Sequence, residues 1–423
     1  MSNPTGSADR TADVIVVGAG LVGLFTAFHL ARLGAGRVLV VEAGRPAAQA
    51  SARSGALVRC HYTSLHEARM AWAALPWWRE WADRVGGACG FTATGFLQLV
   101  DASDNDTLRA NTAALAADGI RTEILDAAAV RAAYPYVRMA DDEIAAYEPG
   151  SGYAVPADAL GSLAAACRRD GVEIRPEEPV REVLTGAGGA ASGVRTARGT
   201  YAAPVVVLAN GAWSVPLLAP LGVTAPISPH RVQVAFLARP PSLGRGPGGH
   251  VTIIDRRYGC YLRPAGDGET LVGLSVQSRT VGELTDPADP DALGPGDGAA
   301  FAGPARRAAA GRIPAFAEAP RTRGHTGPLD VTPDHRMILG GTPGVPGLYL
   351  AVGMSGGGFK KAPAIGAAMA ELIVEGAART APVEPFRLSR FAERKPITAR
   401  EYSVPADGDP DRRQARDLTP LIH

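Results

Sequence analysis

The sequence lacks the features that define several other classes of protein. Its four cysteines are Cys60, Cys89, Cys167 and Cys260, and no two of them have C-x-x-C spacing. This argues against a disulfide framework or a zinc site. Basic and acidic residues nearly balance, 43 against 42, whereas nucleic-acid-binding proteins usually carry a basic excess. We therefore expect no bound metal, no nucleic-acid partner and a reducing compartment.

Long uninterrupted apolar segments are also missing. Residues 14–33 and 201–222 have the length of a membrane span, but the first contains three glycines and His29, and the second contains Asn210 and three prolines. Each fits a buried strand with its following turn better than a lipid-facing helix of about 20 residues. The N-terminus lacks the apolar core of a signal peptide. These absences predict a cytoplasmic protein without a membrane span.

The composition is that of an ordinary soluble globular chain, with 46% hydrophobic and 20% charged residues. A length of 423 residues allows two domains or one large α/β unit. The high content of alanine, glycine and arginine favours a bacterial genome rich in GC. Composition alone therefore leaves the chemistry open, and the motifs have to supply it.

A glycine-rich turn near the N-terminus is typical of a dinucleotide site. The motif G-A-G-L-V-G contains Gly18, Gly20 and Gly23, follows an apolar run and opens a helical pattern. The next apolar run ends at Glu42, 19 residues after Gly23. Such glycines permit a tight turn, close approach to a pyrophosphate and contact between helix and strand, while the acid accepts hydrogen bonds from a ribose. NAD and FAD both use this device, and a single turn after the first strand favours one tightly held cofactor.

A second glycine-rich stretch lies near the C-terminus. Residues 353–366 read GMSGGGFKKAPAIG and join a predicted strand at 348–352 to a predicted helix at 362–375, with Pro363 in the first turn of that helix. Backbone without side chains lets N–H groups approach a flat ligand. The helix N-terminus would stabilise negative charge that develops on that ligand.

Four stretches taken together resemble the D-amino-acid oxidase, glycine oxidase and monomeric sarcosine oxidase family of FAD-dependent amine oxidoreductases. They are SARSGALVRCHY, LANGAWS, TPDHRMILG and GLYLAVGMSGGGFKKAPAIGAAMAEL. The resemblance implies an α/β fold with a discontinuous glutathione-reductase-type FAD-binding domain, which is Rossmann-like, and a substrate domain built on a mixed β-sheet. The implied segments are 1–88, 151–216 and 322–390 for FAD, 89–150 and 217–321 for substrate, and 391–423 as a C-terminal tail.

The resemblance also implies roles for individual residues. Lys360 directly follows Gly-Phe, as does the lysine that binds the substrate carboxylate in sarcosine oxidase, and Arg59 is its implied partner. A surface charge for Lys360 and a structural ion pair for Arg59 are the alternatives. The implied cofactor-binding residues are Gly18, Gly20, Gly23, Glu42, Ser51, Arg53, Ser54, Val180, Gly211, Gly356, Gly358 and Lys360.

Three further residues are candidates for the substrate side. In a regular strand, Tyr261 and Arg263 share one face, which we expect to border the pocket while Tyr258 packs on the other; the reverse arrangement stays open. His61 lies two residues after Arg59 and is the best placed histidine for catalysis. Histidines of this kind are more often structural than catalytic.

The sequence departs from the family at four positions. Ala56 replaces a second arginine of monomeric sarcosine oxidase, Leu271 replaces a lysine linked to oxygen activation, and Ser275 replaces a histidine near the substrate amine. The cysteine that bonds to flavin falls near Gly327, so we expect non-covalent FAD. Hydride transfer from carbon to flavin N5 needs orientation and a neutral amine. Amine oxidation is therefore still expected, with O₂, a quinone or a partner protein as electron acceptor.

The leading hypothesis is an FAD-dependent oxidase or dehydrogenase that converts a C–N bond of a small amino acid, primary or N-substituted, into an imine. A flavin-dependent monooxygenase and an FAD-binding subunit that relays electrons are the alternatives. Elsewhere, we expect a helix over 64–84 that Pro76 kinks or divides, and a loop or mobile flap over 286–303. The last twenty or so residues are expected to lie over the surface or to be disordered.

Overall fold

A computed structural model of the chain describes residues 10–46, 49–275 and 299–403. The strands are β1 (Val14–Val17), β2 (Val38–Val41), β3 (Leu57–Val58), β4 (Phe96–Leu99), β5 (Glu123–Asp126), β6 (Ile144–Glu148), β7 (Gly152–Tyr153), β8 (Glu173–Arg175), β9 (Val180–Thr185), β10 (Ala191–Thr196), β11 (Gly199–Ala202), β12 (Val205–Leu208), β13 (Ser228–Ala238), β14 (Thr252–Asp255), β15 (Cys260–Ala265), β16 (Glu269–Leu274), β17 (Arg321–Val331), β18 (Ile338–Gly341) and β19 (Leu348–Val352).

The α-helices are α1 (Leu21–Arg32), α2 (Leu65–Arg79), α3 (Trp81–Arg84), α4 (Asn105–Ala117), α5 (Ala127–Ala133), α6 (Pro156–Arg169), α7 (Ser214–Leu218), α8 (Ala302–Arg312) and α9 (Gly358–Glu375). Short 3-10 helices cover Ala102–Asp104, Gly211–Trp213, Ala219–Leu221, Pro241–Leu243, Pro314–Phe316, Glu384–Phe386 and Leu388–Arg390. Within the described ranges, no helix combines the length and apolar character needed to cross a bilayer.

The first sheet has six strands in the order β18-β19-β12-β1-β2-β8. All neighbours in it are parallel except β18, which runs antiparallel to β19. Each residue of β1 is buried, because helices cover one face and the small sheet β9–β11 covers the other. Val16 belongs to the core under the helices, while its neighbour Ile15 belongs to the core on the opposite face. A strand buried on both faces requires the continuous apolar run seen in the sequence.

The second sheet has eight strands in the order β17-β13-β16-β15-β14-β4-β6-β5. Its neighbours pair antiparallel except β14 and β4, which run parallel. Helix α8 packs on this sheet through Ala305 and Ala309. The mainly parallel sheet and the mixed sheet together confirm the predicted α/β fold class.

One predicted domain boundary is wrong in detail. Residue 322 was expected to begin the last segment of the FAD-binding domain, but β17 pairs with β13 from Arg321 to Val331 in the larger sheet. This strand therefore belongs to the sheet assigned to the substrate domain. The alternating pattern of β17 predicts a strand but does not say which sheet that strand joins. The sequence could therefore not show that residues 321–331 pair with β13.

Helix α9 begins earlier than the sequence indicates. Its first residue is Gly358 rather than residue 362, so Pro363 lies inside the helix and not in its first turn. Tertiary contacts hold the start of the helix in place: the indole Nε1 of Trp78 donates to the carbonyl of Lys360 at 2.8 Å, and the ring of Phe359 stacks on that indole. Packing of this kind outweighs the local preference of a proline.

Two other local expectations have a clear outcome. Helix α2 continues through Pro76 and ends at Arg79, and a short α3 follows, so the expected division occurs one turn later than the proline. Most of the loop or flap expected over 286–303 lies outside the described residues. Its last two residues, Ala302 and Gly303, form the start of α8, which corrects the loop assignment there.

Candidate active site

A cavity of about 1230 Å³ is lined by residues from both large sheets. Small-molecule sites commonly occupy roughly 300–1,000 Å³, so this cavity can hold an extended ligand together with a small substrate. The N-terminal glycine turn contributes to one part of its wall, and the C-terminal glycine turn contributes to another. Both sequence motifs therefore face the same space.

The glycines of the N-terminal turn are required by close backbone contacts. Gly18 has φ of +106°, and a Cβ there would lie 2.7 Å from the carbonyl oxygen of Ala209. A Cβ on Gly23 would lie 2.0 Å from the carbonyl oxygen of Gly18, so the helix touches the turn as expected. Gly20 lines the cavity at the start of α1, where Ser51 Oγ accepts a hydrogen bond from the N–H of Leu21 at 3.0 Å.

Glu42 stands at the end of β2 on the cavity wall. Its carboxylate accepts hydrogen bonds from the N–H of Ala19 at 2.7 Å and of Gly44 at 2.9 Å. These bonds hold the acid beside the glycine turn, where it can accept from a ribose diol. Val180, at the start of β9, also lines the cavity.

The loop at 51–54 forms a further part of the wall. Arg53 donates from Nη1 to the carbonyl of Thr326 at 3.1 Å, and Ser54 Oγ accepts from the N–H of Ala56 at 2.9 Å. Gly327 faces this loop, and a Cβ there would lie 3.0 Å from the Cβ of Arg53. The loop therefore approaches β17 so closely that a larger residue at 327 would disturb it.

The C-terminal glycine turn opens a helix end toward the cavity. Gly353, Ser355 and Gly356 have φ of +66°, +48° and +81°, and a serine in the left-handed region is an uncommon conformation. It is held because the N–H of Ser355 donates to the carbonyl of Asp330 at 2.9 Å. The N-cap residue of α9 is Gly357, which has no side chain to cap the helix. Residues 356–360 line the cavity. Free N–H groups of a helix start favour a negatively charged or polarised ligand. Gly211, with φ of +60°, also lines the cavity.

Arg59 and Lys360 face the same part of the cavity. The guanidinium carbon of Arg59 lies 4.2 Å from the ring centroid of Tyr62, and Lys360 Nζ lies 5.9 Å from the same centroid. Arg59 Nη1 donates to the carbonyl of His61, and Lys360 Nζ lies 3.4 Å from the carbonyl of Gly356. Among the residues that the structure describes, neither cation forms an ion pair with an acidic side chain. Lys360 is buried, and a buried cation without a counter-ion is costly unless an anionic ligand supplies one.

The neighbouring lysine has a different environment. Lys361 is fully buried and pairs with Glu67, which also pairs with Arg336 at 2.9 Å. Arg336 in turn pairs with Glu401. Consecutive residues on a helix point about 100° apart, so Lys360 reaches the cavity while Lys361 reaches the core. This buried network was not foreseen from the sequence, where both lysines look alike.

Tyr62 is a cavity residue that the sequence analysis missed. Its ring lies between Arg59 and the two lysines, and its hydroxyl is buried beside Lys360. Burial opposes ionisation of the phenol, but Lys360, Lys361 and Arg59 together outweigh it and lower the pKa of Tyr62. The residue ends the quoted stretch SARSGALVRCHY, so the motif could have indicated it. Its hydroxyl is placed to donate to an anion that binds Arg59 and Lys360.

The other predicted substrate-side residues are only partly brought together. Tyr261 lines the cavity, as does His61. Arg263 does not, which corrects the expectation that it borders the pocket. Its Nε donates to the carbonyl of Gly55, and its guanidinium lies 4.6 Å from the ring centroid of Tyr153. Strand alternation correctly places Tyr261 and Arg263 on one face, but the longer side chain runs beneath the loop at Gly55 instead of into the cavity.

His61 is buried, and burial, Arg59 and Arg256 lower its pKa to about 3. It is therefore a neutral imidazole at physiological pH. Its Nε2 lies 2.6 Å from the hydroxyl of Tyr402. A neutral ring held in this way can orient neighbouring groups but adds no charge to the site.

The last twenty or so residues, which are expected to lie over the surface or to be disordered, fall outside the described ranges, but the earlier part of the predicted tail is described. Residues 391–403 do not simply lie over the surface, because Tyr402 is only 4% exposed and packs against Val100 and Leu108. The segment also contributes cavity-lining residues, which are Ile397, Thr398, Ala399, Glu401 and Tyr402. Residues 404–423 lie outside the described ranges. A polar composition with few apolar residues gave no signal for this docking.

Asp330 is a second cavity residue that sequence analysis missed. It is 7% exposed, and its Oδ2 has no hydrogen-bond partner in the described structure. Burial raises the pKa of this carboxyl to about 6, although the backbone amides of Met354, Asp330 and Gly353 oppose the shift. A hydrogen-bond donor on a bound ligand would supply the missing partner. The only signal in the sequence was its place between Gly327 and the TPD motif.

Replacing Asp330 by asparagine is expected to stabilise the apoprotein above pH 6 by about 3 kcal/mol. The folded form of the wild type keeps its proton up to about pH 6, while the unfolded form loses it near 3.8. Stability of the wild type therefore falls as pH rises between these values, and Asp330→Asn removes that fall. Thermal melting at pH 4 and pH 7.5 measures the difference.

Asp334 is the matched control for that measurement, because its pKa is shifted in the opposite direction. Burial alone would raise the pKa of Asp334, but hydrogen bonds and the positive charge of Arg390 outweigh burial and lower this pKa. Asp334→Asn should therefore destabilise the protein at pH 7.5. Equal melting temperatures of the wild type and Asp330→Asn at pH 7.5 would contradict the assignment.

The departures from the family pattern persist in three dimensions. Leu271 is fully buried in an apolar cluster with Val234 and Phe236, and Ser275 lines the cavity. Ala56 adopts φ of +52°. None of these side chains carries a charge that could take over the missing role. No cluster of metal-ligating side chains occurs in the part of the chain that the structure covers.

One cavity therefore brings together a dinucleotide turn and two cations that form no ion pair among the described residues. The chain belongs to the FAD dependent oxidoreductase (DAO) family, whose model matches residues 13–372. It is 26% identical to peroxisomal sarcosine oxidase of Homo sapiens over 412 residues, covering 90% of this chain and 96% of that protein. It is 28% identical over 395 residues to sarcosine oxidase subunit beta of Arthrobacter sp., covering 90% and 91%. The fold is similar to that of L-proline dehydrogenase from P. horikoshii, with a TM-score of 0.82, 24% identity and coverage of 91% and 99%.

Proposed function

We propose that the protein oxidises the C–N bond of a small amino acid, primary or N-substituted, to an imine, with FAD bound non-covalently. The observation that carries this proposal is the pair Arg59 and Lys360, which face one cavity without an acidic partner among the described residues. A substrate carboxylate bound by both would compensate their charge. Relatives named for sarcosine and a fold neighbour named for L-proline agree with a substrate of this size.

The residues present fit the cofactor of the family. The turn at Gly18 and Gly20 and the hydroxyl of Ser51 suit a pyrophosphate, Glu42 suits a ribose, and the open end of α9 suits an electron-rich ring. Asp330 offers an unpartnered acceptor to a donor of the same ligand. Non-covalent binding is supported because all four cysteines are buried and none lines the cavity.

The protein residues supply binding and orientation. Bound FAD supplies the acceptor for the hydride that leaves the substrate carbon. Arg59 and Lys360 hold the carboxylate, which fixes the direction of the adjacent C–N bond, and Tyr62 donates to the same anion. Neutral His61 leaves the positive charge of the site to the cations that bind the carboxylate.

Anaerobic mixing of the purified holoprotein with glycine, sarcosine, L-proline and D-alanine tests the proposal. We expect at least one of them to bleach the flavin absorbance, and subsequent addition of O₂ or of a quinone shows which acceptor restores it. Absence of bleaching by every amino acid would contradict the proposal. NADPH consumption without an amine would then favour a monooxygenase, and no reduction by either would favour a subunit that relays electrons.

A further inference from the structure

The C-terminal segment, residues 397–403, is held by hydrogen bonds at both of its ends. At one end the N–H of Ile397 donates to Asp334 Oδ2 at 3.1 Å. At the other end Ser403 donates from its N–H and its hydroxyl to the carboxylate of Asp104, at 2.6 and 3.0 Å. Asn111 holds the middle through the carbonyl of Arg400 at 3.2 Å. Asp104 lies 299 residues before Ser403, and Asn111 lies 289 residues before Arg400, so these bonds join distant parts of the sequence.

Two side chains of this segment reach the groups around the proposed carboxylate site. Glu401 pairs with Arg336 and accepts from Thr63 Oγ1 at 2.8 Å. The hydroxyl of Tyr402 lies 2.6 Å from His61 Nε2, and the two rings stack with centroids 6.0 Å apart at 19°. The segment therefore contacts the chain immediately after Arg59.

A continuous line of contacts runs from Tyr402 to Arg59. Tyr402 is buried in an apolar cluster with Val100 and Leu108, so its ring cannot move freely. It fixes His61 through the hydroxyl, and the carbonyl of His61 accepts from Arg59 Nη1. A guanidinium that must bind a carboxylate in two places depends on such support.

We propose that residues 397–403 form part of the substrate-binding wall and that Tyr402 is a positioning residue, which holds Arg59 in place through His61. The inference rests on the proposed function, because it takes the Arg59 site to bind a carboxylate. It assigns to the C-terminal segment a role in substrate affinity in addition to any role in stability.

Binding of sodium acetate to the holoprotein tests the proposal, with the flavin absorbance as readout. Tyr402→Phe keeps the ring in its cluster but loses the hydroxyl, so we expect the acetate Kd to rise about fivefold, with the FAD content unchanged. Tyr349→Phe, on β19 outside the cavity lining, is the matched control and should leave the Kd unchanged. The same Tyr402→Phe change in an Arg59→Met background should have no further effect if Tyr402 acts through Arg59.

Truncation provides a second comparison. A chain ending at residue 403 keeps every contact described for the segment and should bind acetate like the wild type. A chain ending at residue 395 loses the segment, and its acetate Kd should rise about tenfold or more. If this shorter chain does not fold, the Tyr402→Phe result decides.

The outcomes separate the two proposals. If the wild type shows no spectral change with acetate, the carboxylate site itself is refuted, and with it both proposals. If the wild type responds and Tyr402→Phe has the same Kd, the proposed function stands and the role of Tyr402 is overturned. An equal fold change of Tyr402→Phe with and without Arg59 would also overturn it, since a merely structural effect predicts that equality.

Discussion

Lys360→Met is expected to raise the KM for an amino-acid substrate by roughly one to two orders of magnitude, or about 1.4–2.7 kcal/mol. Lys360 is 8% exposed, lines the cavity and has no acidic partner among the described residues. The variant therefore loses a charged contact to the carboxylate while no acid is left without its partner in the apoprotein. Steady-state kinetics measure KM, and the acetate Kd gives the same comparison without turnover.

The stability of Lys360→Met distinguishes a binding role from a structural one. Removing a buried, uncompensated cation should leave the melting temperature of the apoprotein unchanged or higher. Lys360→Arg should recover part of the affinity because it restores the charge. An unchanged KM for a carboxylate substrate would remove Lys360 from the site.

The pH dependence of substrate binding provides an independent test of the role of Lys360. Burial lowers the pKa of Lys360, with Tyr62 opposing the shift and Arg59 and Lys361 adding to it. The ammonium is present at low pH, and as the pH rises it loses its proton at a pH below the usual pKa of 10.5. Affinity for the carboxylate should therefore fall as pH rises through that lowered value, and the methionine variant should lack this alkaline decline.

The two glycine turns that line the cavity could be predicted from the sequence because backbone geometry determines them. A turn with Gly18, Gly20 and Gly23 can hold a pyrophosphate only after a strand and before a helix, and periodicity reveals both elements. The glycines after β19 follow the same logic. In both turns the type of residue and its place between a strand and a helix carry the information, even where the contact itself is made with a distant residue such as Ala209.

The proposed substrate side of the cavity could be predicted only in part because its contacts are distant in sequence. Asp330 and Tyr402 come from parts of the chain that no spacing rule connects to Arg59. Arg263 has the predicted face of its strand, yet a carbonyl 208 residues away takes its guanidinium. Alternation specifies a direction, while the length of the side chain and the nearby loop decide where its charged end lies.

The two adjacent lysines show the same difference most sharply. Sequence analysis singled out Lys360 through the family resemblance but assigned no role to Lys361. In the structure one cation lacks a counter-ion, and the other has Glu67. Only the neighbours in space separate a ligand-binding charge from a structural one, and this difference can be measured.

Lys361→Met is expected to destabilise the protein by roughly 3 kcal/mol, because removing one partner of a buried pair leaves the other poorly compensated. Lys361 is fully buried, and Glu67 keeps only Arg336. Burial raises the pKa of Glu67, but Lys361 and Arg336 outweigh it and lower the pKa below 4.5 in the wild type. As the pH falls, the wild type should therefore keep this contribution until the pH reaches that lowered value. In the variant the pKa of Glu67 is less depressed, so the loss of stability on acidification should begin at a higher pH.

Thermal melting of the apoprotein between pH 4 and pH 8 measures this effect. Together with the single variants, the double variant Lys361→Met/Glu67→Gln completes a double-mutant cycle. The double variant should be less destabilised than the sum of the two single variants, since the charge left behind by Lys361→Met is then also removed. Folded Lys361→Met should bind acetate within about threefold of the wild type, because Lys361 lies outside the cavity lining and its charge is already paired with that of Glu67. If Lys361→Met instead melted like the wild type and bound acetate far more weakly, the roles of the two lysines would be reversed, and Lys361 would replace Lys360 in the carboxylate site.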